Sequence, residues 1–87
     1  MMKVLIVDDE PKLREGLKSI VPWTELGFQV VGTAANGSEA LEKHGMYDPD
    51  LMLIDIRMPG MDGLQLIEAI RNLDSEIHLL ILSGYAD

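Results

Sequence analysis

The sequence predicts an α/β fold, in which a parallel sheet carries helices on both of its faces. Strand-like and helix-like segments alternate along the 87 residues, which is the pattern of βα units. Residues 4–7 and 51–54 are apolar at every position, as expected for strands that are buried on both faces. Both segments run directly into acidic residues. Those acids should lie at the carboxyl edge of the sheet, where open α/β folds bind ligands.

The first βα unit is predicted from its apolar pattern and its prolines. Strand one covers residues 3–7. Helix one begins at Pro11, because proline suits the first helical turn, with Asp9 or Glu10 at its N-terminus. Apolar residues then recur at helical spacing, and Pro22 ends the helix.

The second unit contains a β-branched and aromatic strand followed by a short helix. Residues 28–34 form strand two, since phenylalanine and valine favour strands. Asn36-Gly37 marks a turn, and Ser38 is the predicted N-cap of helix two. Helix two continues to about Gly45.

The remaining elements follow the same alternation. Residues 48–50 (Asp-Pro-Asp) break the chain before strand three, which covers residues 51–54. Asp62 is positioned to cap helix three, which ends near Leu73. Strand four covers residues 77–82.

Composition excludes several classes of function. The formal net charge is −8 and the sequence pI is about 4.5, and the seven Lys and Arg residues form no patch, so we expect no contact with nucleic acid. The absence of cysteine excludes disulfides and thiolate metal sites. Acids interrupt the N-terminal apolar segment too early for a signal peptide or a membrane span. We therefore expect a soluble cytoplasmic protein without membrane contact.

The acids that follow the strands predict a metal site. Strands one and three should be neighbours at the topological switch point, so that Asp8, Asp9 and Asp55 converge. Three carboxylates in one crevice raise one another's pKa unless a cation compensates. Mg²⁺ suits such a site, since it binds carboxylates, waters and a phosphate, whereas Zn²⁺ would favour Cys or His ligands.

The same acids permit covalent phosphoryl chemistry. A carboxylate can act as a nucleophile and form an aspartyl phosphate. Phosphoryl transfer depends mainly on positioning and on neutralisation of charge, and one acid that attacks beside a metal held by the others supplies both. Ser83, at the end of strand four, would donate a hydrogen bond to a phosphoryl oxygen.

Simpler structural interpretations compete with these roles. An acidic pair before a helix, such as Asp8 and Asp9, is more often a helix cap than a metal site. Asp55 argues for the metal site, because an acid after a fully apolar strand is costly without a partner. His44 and His78 have no carboxylate or cysteine constellation around them in the sequence, and we interpret them as ordinary surface or edge residues.

Three motifs resemble the receiver domain of two-component response regulators. They are residues 7–10 (Val-Asp-Asp-Glu), residues 55–63 (Asp-Ile-Arg-Met-Pro-Gly-Met-Asp-Gly) and residues 82–85 (Leu-Ser-Gly-Tyr). The resemblance covers essentially the whole chain and implies a flavodoxin-like parallel sheet with strand order 2-1-3-4. Residues 22–28 and 35–41 further resemble receivers joined to AraC-type DNA-binding output domains.

The resemblance also implies a role for each matching residue. Asp55 would be the phosphoacceptor and a metal ligand, and Asp8 and Asp9 would be the acid pair that holds Mg²⁺. The backbone carbonyl of Arg57 would be a further ligand, and Ser83 would be the switch residue that turns toward the phosphoryl group. A sensor histidine kinase would donate the phosphoryl group, and an output domain, expected to bind DNA, would respond.

One part of the family pattern is missing from residues 1–87. A receiver normally has a fifth strand, two more helices, a Lys on that strand that contacts the phosphoryl group, and an aromatic switch residue. We therefore expect a C-terminally truncated receiver domain with impaired phosphorylation. Strand four would be left as an apolar edge, which predicts a dimer or a swapped oligomer.

Two other functions remain open at this point. A metal-dependent phosphohydrolase would also use Asp55 as its nucleophile. Such enzymes usually have a second acid two residues later, where this chain has Arg57, and this counts against that function. The other alternative is an interaction module that is not phosphorylated.

Overall fold

The computed structural model describes residues 1–55 and 63–82, which form strands and helices in alternation. The elements are β1 (Met2–Val7), α1 (Pro11–Ile20), β2 (Phe28–Ala34), α2 (Gly37–Tyr47), β3 (Leu51–Asp55), α3 (Gly63–Leu73) and β4 (His78–Leu82). Within the described ranges, no helix is long and apolar enough to cross a membrane. Every predicted element is present, with its ends within two residues of the prediction.

The four strands form one parallel sheet in the order β2-β1-β3-β4. This confirms the predicted order 2-1-3-4 and the flavodoxin-like architecture. The central strands β1 and β3 are direct neighbours, and Val7 pairs with Ile54 at the end of their ladder. Asp8 and Asp55 follow that pair, so the register brings both acids to the carboxyl edge of the sheet.

Successive side chains of the central strands point to opposite faces, and each face has its own apolar cluster. α2 and α3 cover one face, where Ala40, Leu66 and Ile70 pack against the strands. The other face packs against Leu17 of α1 and against Trp23. The strand residues in the first cluster are Leu5, Val7, Ala34, Met52 and Ile54, and those buried in the second are Val4, Ile6 and Leu53.

The N-terminus of α2 differs from the prediction. Asn36, and not Ser38, is the N-cap, because the Asn36 side chain accepts a hydrogen bond of 2.8 Å from the backbone N–H of Glu39. The Glu39 carboxylate in turn accepts a hydrogen bond of 2.9 Å from the backbone N–H of Ala35. These reciprocal bonds satisfy backbone donors at the start of the helix, and Ser38 lies in the first turn.

His44 is also placed differently from the prediction. Its Nε2 lies 3.1 Å from Oδ2 of Asp74, so the interpretation of His44 as a residue without a carboxylate partner is wrong. The two residues are 30 positions apart, and the sequence pattern gives no sign that α2 packs beside the end of α3. His78 is exposed on the edge strand β4, as predicted.

Candidate metal centre

Three acids meet at the carboxyl edge of the central strands. Asp8 directly follows β1, Asp9 is the next residue, and Asp55 is the last residue of β3. Each offers a carboxylate oxygen, and these oxygens all lie within 4.8 Å of one another. The structure therefore brings together the three acids that the sequence predicted to converge.

Two of these carboxylates are buried. Asp8 is 2% exposed and Asp55 is 6% exposed, whereas Asp9 is more open to solvent. Burial raises the pKa of Asp8, and the negative charges of Asp55, Asp9 and Glu10 raise it further. A hydrogen bond of 2.9 Å from the backbone N–H of Glu10 to Oδ1 of Asp8 opposes this rise. Burial and the neighbouring carboxylates therefore make the charged form of Asp8 less favourable than that of an isolated aspartate.

The chemistry of these donors fits a hard divalent cation. The three side chains supply only oxygen ligands, which Mg²⁺ prefers, and the chain contains no cysteine that would favour a softer metal. A cation there would favour the charged form of Asp8, which burial and the neighbouring carboxylates disfavour. Asp8, Asp9 and Asp55 are thus the described residues that could hold Mg²⁺.

Hydrogen bonds fix the backbone of Asp8 on both sides. Its N–H donates to the carbonyl of Ala34 at 3.0 Å, which continues the pairing of β1 with β2. Its carbonyl accepts a hydrogen bond of 2.8 Å from a guanidinium nitrogen of Arg14 on α1. Sequence reasoning did not identify Arg14 as part of the site. The available signal was its place in the helix that directly follows the acidic pair.

Two predicted site residues, Arg57 and Ser83, lie outside the described residues, as does the predicted helix cap Asp62. The carbonyl ligand, the hydrogen bond to a phosphoryl group and the cap therefore stay predictions. The described part of the site consists of the three acids and the residues that hold Asp8 in place.

Comparison with known proteins identifies the family. The family model of the response regulator receiver domain matches residues 4–87. Over 87 residues the chain is 47% identical to the uncharacterized response regulatory protein SERP2406 of Staphylococcus epidermidis and 45% identical to the transcriptional regulatory protein HptR of Staphylococcus aureus. Each match covers all of this chain and 34% of the relative, so the chain spans about a third of the length of these curated relatives.

Solved structures show the same similarity. A two component transcriptional regulator AraC from Clostridium phytofermentans superposes with a TM-score of 0.89 at 36% identity, over 100% of this chain and 70% of that one. TrrA of Thermotoga maritima in complex with Mg²⁺–BeF superposes with a TM-score of 0.86 at 40% identity, over 99% of this chain and 72% of that one. TrrA in complex with the histidine kinase ThkA superposes with a TM-score of 0.84 at 39% identity, over 100% of this chain and 72% of that one. The family match and these similarities show that the chain belongs to the response regulator receiver family.

Proposed function

We propose that this chain is a phosphoacceptor regulatory domain and that Asp55 receives the phosphoryl group. The observation that carries the proposal is the position of the Asp55 carboxylate. It is buried at the end of β3, and one of its oxygens lies within 4.8 Å of oxygens of Asp8 and Asp9. The complex of the relative TrrA with Mg²⁺–BeF supports it, because beryllofluoride resembles a phosphoryl group.

The proposed transfer step uses this arrangement. A carboxylate oxygen of Asp55 attacks the phosphorus of a phosphohistidine, and a new O–P bond forms while the N–P bond breaks. The electron pair of the broken bond stays on the imidazole nitrogen, which takes up a proton. Asp8 and Asp9 would hold Mg²⁺, together with the backbone carbonyl of Arg57, and the bound ion would neutralise charge on the acids and on the phosphoryl oxygens.

The surroundings of Asp8 suit a metal ligand better than a nucleophile. One Asp8 oxygen already accepts a hydrogen bond from the backbone N–H of Glu10, and burial with neighbouring charges raises the pKa of Asp8. These features suit a carboxylate that is held in place to bind a cation. Asp55 ends the adjacent central strand β3, at the same edge of the sheet.

The relatives support two proposed partners, a kinase and an output domain. The complex of TrrA with the kinase ThkA supports a sensor histidine kinase as the phosphoryl donor. The names of HptR and of the AraC regulator support an output domain that binds DNA and regulates transcription. Ser83 would turn toward the phosphoryl group and pass the change to that output domain. This segment, with its net charge of −8, would not itself contact DNA.

Acetyl phosphate and Mg²⁺ provide the test, applied to the full-length protein and followed by intact mass. We expect the addition of one phosphoryl group, which D55N abolishes and D9N slows. E68Q, on the exposed face of α3, removes one carboxylate charge without touching the site and should behave as wild type.

Three results would contradict the proposal. Modification that persists in D55N would show that another residue accepts the phosphoryl group. Repeated hydrolysis of a small phosphate ester would favour a phosphohydrolase. Failure of both acetyl phosphate and beryllofluoride to modify the protein in the presence of Mg²⁺ would favour an interaction module that is not phosphorylated.

A further inference from the structure

Arg14 connects α1 to the turn that carries the metal-binding acids. Its guanidinium donates a hydrogen bond of 2.8 Å to the backbone carbonyl of Asp8. We propose that Arg14 is a positioning residue of the metal centre, which fixes the turn between β1 and α1 and thereby strengthens Mg²⁺ binding. The inference rests on the proposed function, because it assumes that Asp8 and Asp9 hold the ion.

The contact closes a ring of hydrogen bonds around the turn. The backbone N–H of Glu10 donates to the Asp8 carboxylate at 2.9 Å, and the backbone N–H of Arg14 donates to the carbonyl of Glu10 at 3.0 Å. The Arg14 guanidinium donates a hydrogen bond to the Asp8 carbonyl. Both ends of the turn are therefore hydrogen-bonded to Arg14 of α1. Asp9 lies inside this ring, and its position depends on the same backbone.

The chemistry of the contact favours positioning over direct charge pairing. Within residues 1–55 and 63–82, no carboxylate forms a salt bridge with Arg14 at 4.0 Å or less. The guanidinium binds a neutral carbonyl, which leaves the carboxylates of Asp8 and Asp9 to a cation. A hydrogen bond from a charged donor is stronger than one between neutral groups, so the turn is held firmly.

Arg71 offers a matched control within the same chain. Its guanidinium also donates to backbone carbonyls, of Ile77 at 2.6 Å and of Ser75 at 3.2 Å. These carbonyls precede β4, at the amino end of the strands, whereas the acids lie at the carboxyl end. A lysine substitution at Arg71 therefore makes the same chemical change away from the metal centre.

The experiment compares R14K and R71K in the metal-free protein and during titration with Mg²⁺. Lysine keeps the charge but loses the planar fork of donors. We expect R14K to raise the Kd for Mg²⁺ by on the order of three- to tenfold. This is less than the loss typical of residues bonded to a ligand side chain, because the contact is to the main chain. Without Mg²⁺, the Glu10 amide should exchange hydrogen faster in R14K, and R71K should change neither quantity.

Each of the following outcomes would overturn the inference. Wild-type Kd and wild-type Glu10 exchange in R14K would overturn the inference, and so would equal losses of affinity in R14K and R71K. Tighter Mg²⁺ binding by R14Q, with R14K unchanged, would show that Arg14 acts only through its charge. If D8N weakens Mg²⁺ binding and R14K does not, this inference alone fails. If D8N leaves Mg²⁺ binding unchanged, the proposed metal centre fails as well.

Discussion

The imidazole Nε2 of His44 lies 3.1 Å from Oδ2 of Asp74, and this contact ties α2 to the segment between α3 and β4. The other oxygen of Asp74 accepts hydrogen bonds from the backbone N–H groups of Glu76 and Ile77, at 3.1 and 3.2 Å. The side-chain bond with His44 is the largest cause that lowers the pKa of Asp74, and the two backbone bonds lower it further. Asp74 is therefore a polar connection between elements that lie far apart in the sequence.

The lowered pKa predicts how stability changes with pH. A carboxylate whose pKa is lower in the folded than in the unfolded chain stabilises the fold above its ordinary value of 3.8, and the contribution is lost as the pH falls through the folded pKa. We expect D74N to be less stable than wild type at pH 7 and the difference to shrink below about pH 4. Urea unfolding across this range measures the effect. A difference that stays constant with pH would contradict it.

The helical face of α3 that contacts the sheet gives a second prediction. Leu66 is fully buried in the cluster on that face, whereas Leu64, two residues earlier, is 66% exposed. L66A should lower the free energy of unfolding by about 2–5 kcal/mol, because it removes buried methyl groups and leaves a cavity. L64A should change it by less than about 1 kcal/mol. Similar losses in both variants would show that α3 does not pack as described.

The sequence was enough to predict the sheet and the meeting of the acids. The apolar segments before Asp8 and Asp55 indicate strands buried on both faces, and parallel pairing of such strands places their carboxyl ends together. Asp8 directly follows its strand and Asp55 is the last residue of its strand. The positions of the two acids in the sequence therefore place both at this edge of the sheet. Local patterning identifies these strands because every residue of each segment indicates the same structure, and the switch-point rule of α/β folds makes the two strands neighbours.

Contacts that depend on packing could not be predicted in this way. His44 and Asp74 meet only because α2 and α3 lie side by side on one face of the sheet. Asn36 and Ser38 are both good N-cap residues, and the choice between them depends on where β2 ends and on the capping bond with Glu39. The contact of Arg14 with Asp8 likewise requires the angle at which α1 leaves the sheet.

Exposed apolar side chains on β4, which lies at an edge of the sheet formed by residues 1–55 and 63–82, predict self-association of the 87-residue chain. Leu80 is 53% exposed and Ile81 is 37% exposed on this strand, and an apolar edge strand can pair with another chain. We expect the apparent mass in sedimentation to rise with protein concentration and L80K to reduce that rise. L64K places the same charge on an exposed leucine of α3 and is the control. A monomer at all concentrations would contradict this expectation.

The raised pKa of Asp8 predicts opposite effects of D8N in the absence and in the presence of Mg²⁺. A carboxyl whose pKa is raised in the folded chain contributes stability below its ordinary value of 3.8 and loses it as the pH rises through the folded pKa. At pH 7 the metal-free D8N protein should therefore be more stable than wild type, since asparagine carries no charge and its side-chain oxygen can still accept the hydrogen bond from Glu10.

Mg²⁺ should reverse this order, because a ligand that binds only the folded state stabilises it, and wild type would bind the ion more tightly. Thermal unfolding with and without Mg²⁺ measures both effects. S38A, on the exposed side of the first turn of α2, is the control and should show the same response to Mg²⁺ as wild type. A D8N protein that is less stable than wild type without metal would show that the charged Asp8 is satisfied by other groups. Equal stabilisation of both proteins by Mg²⁺ would show that the ion does not bind at Asp8.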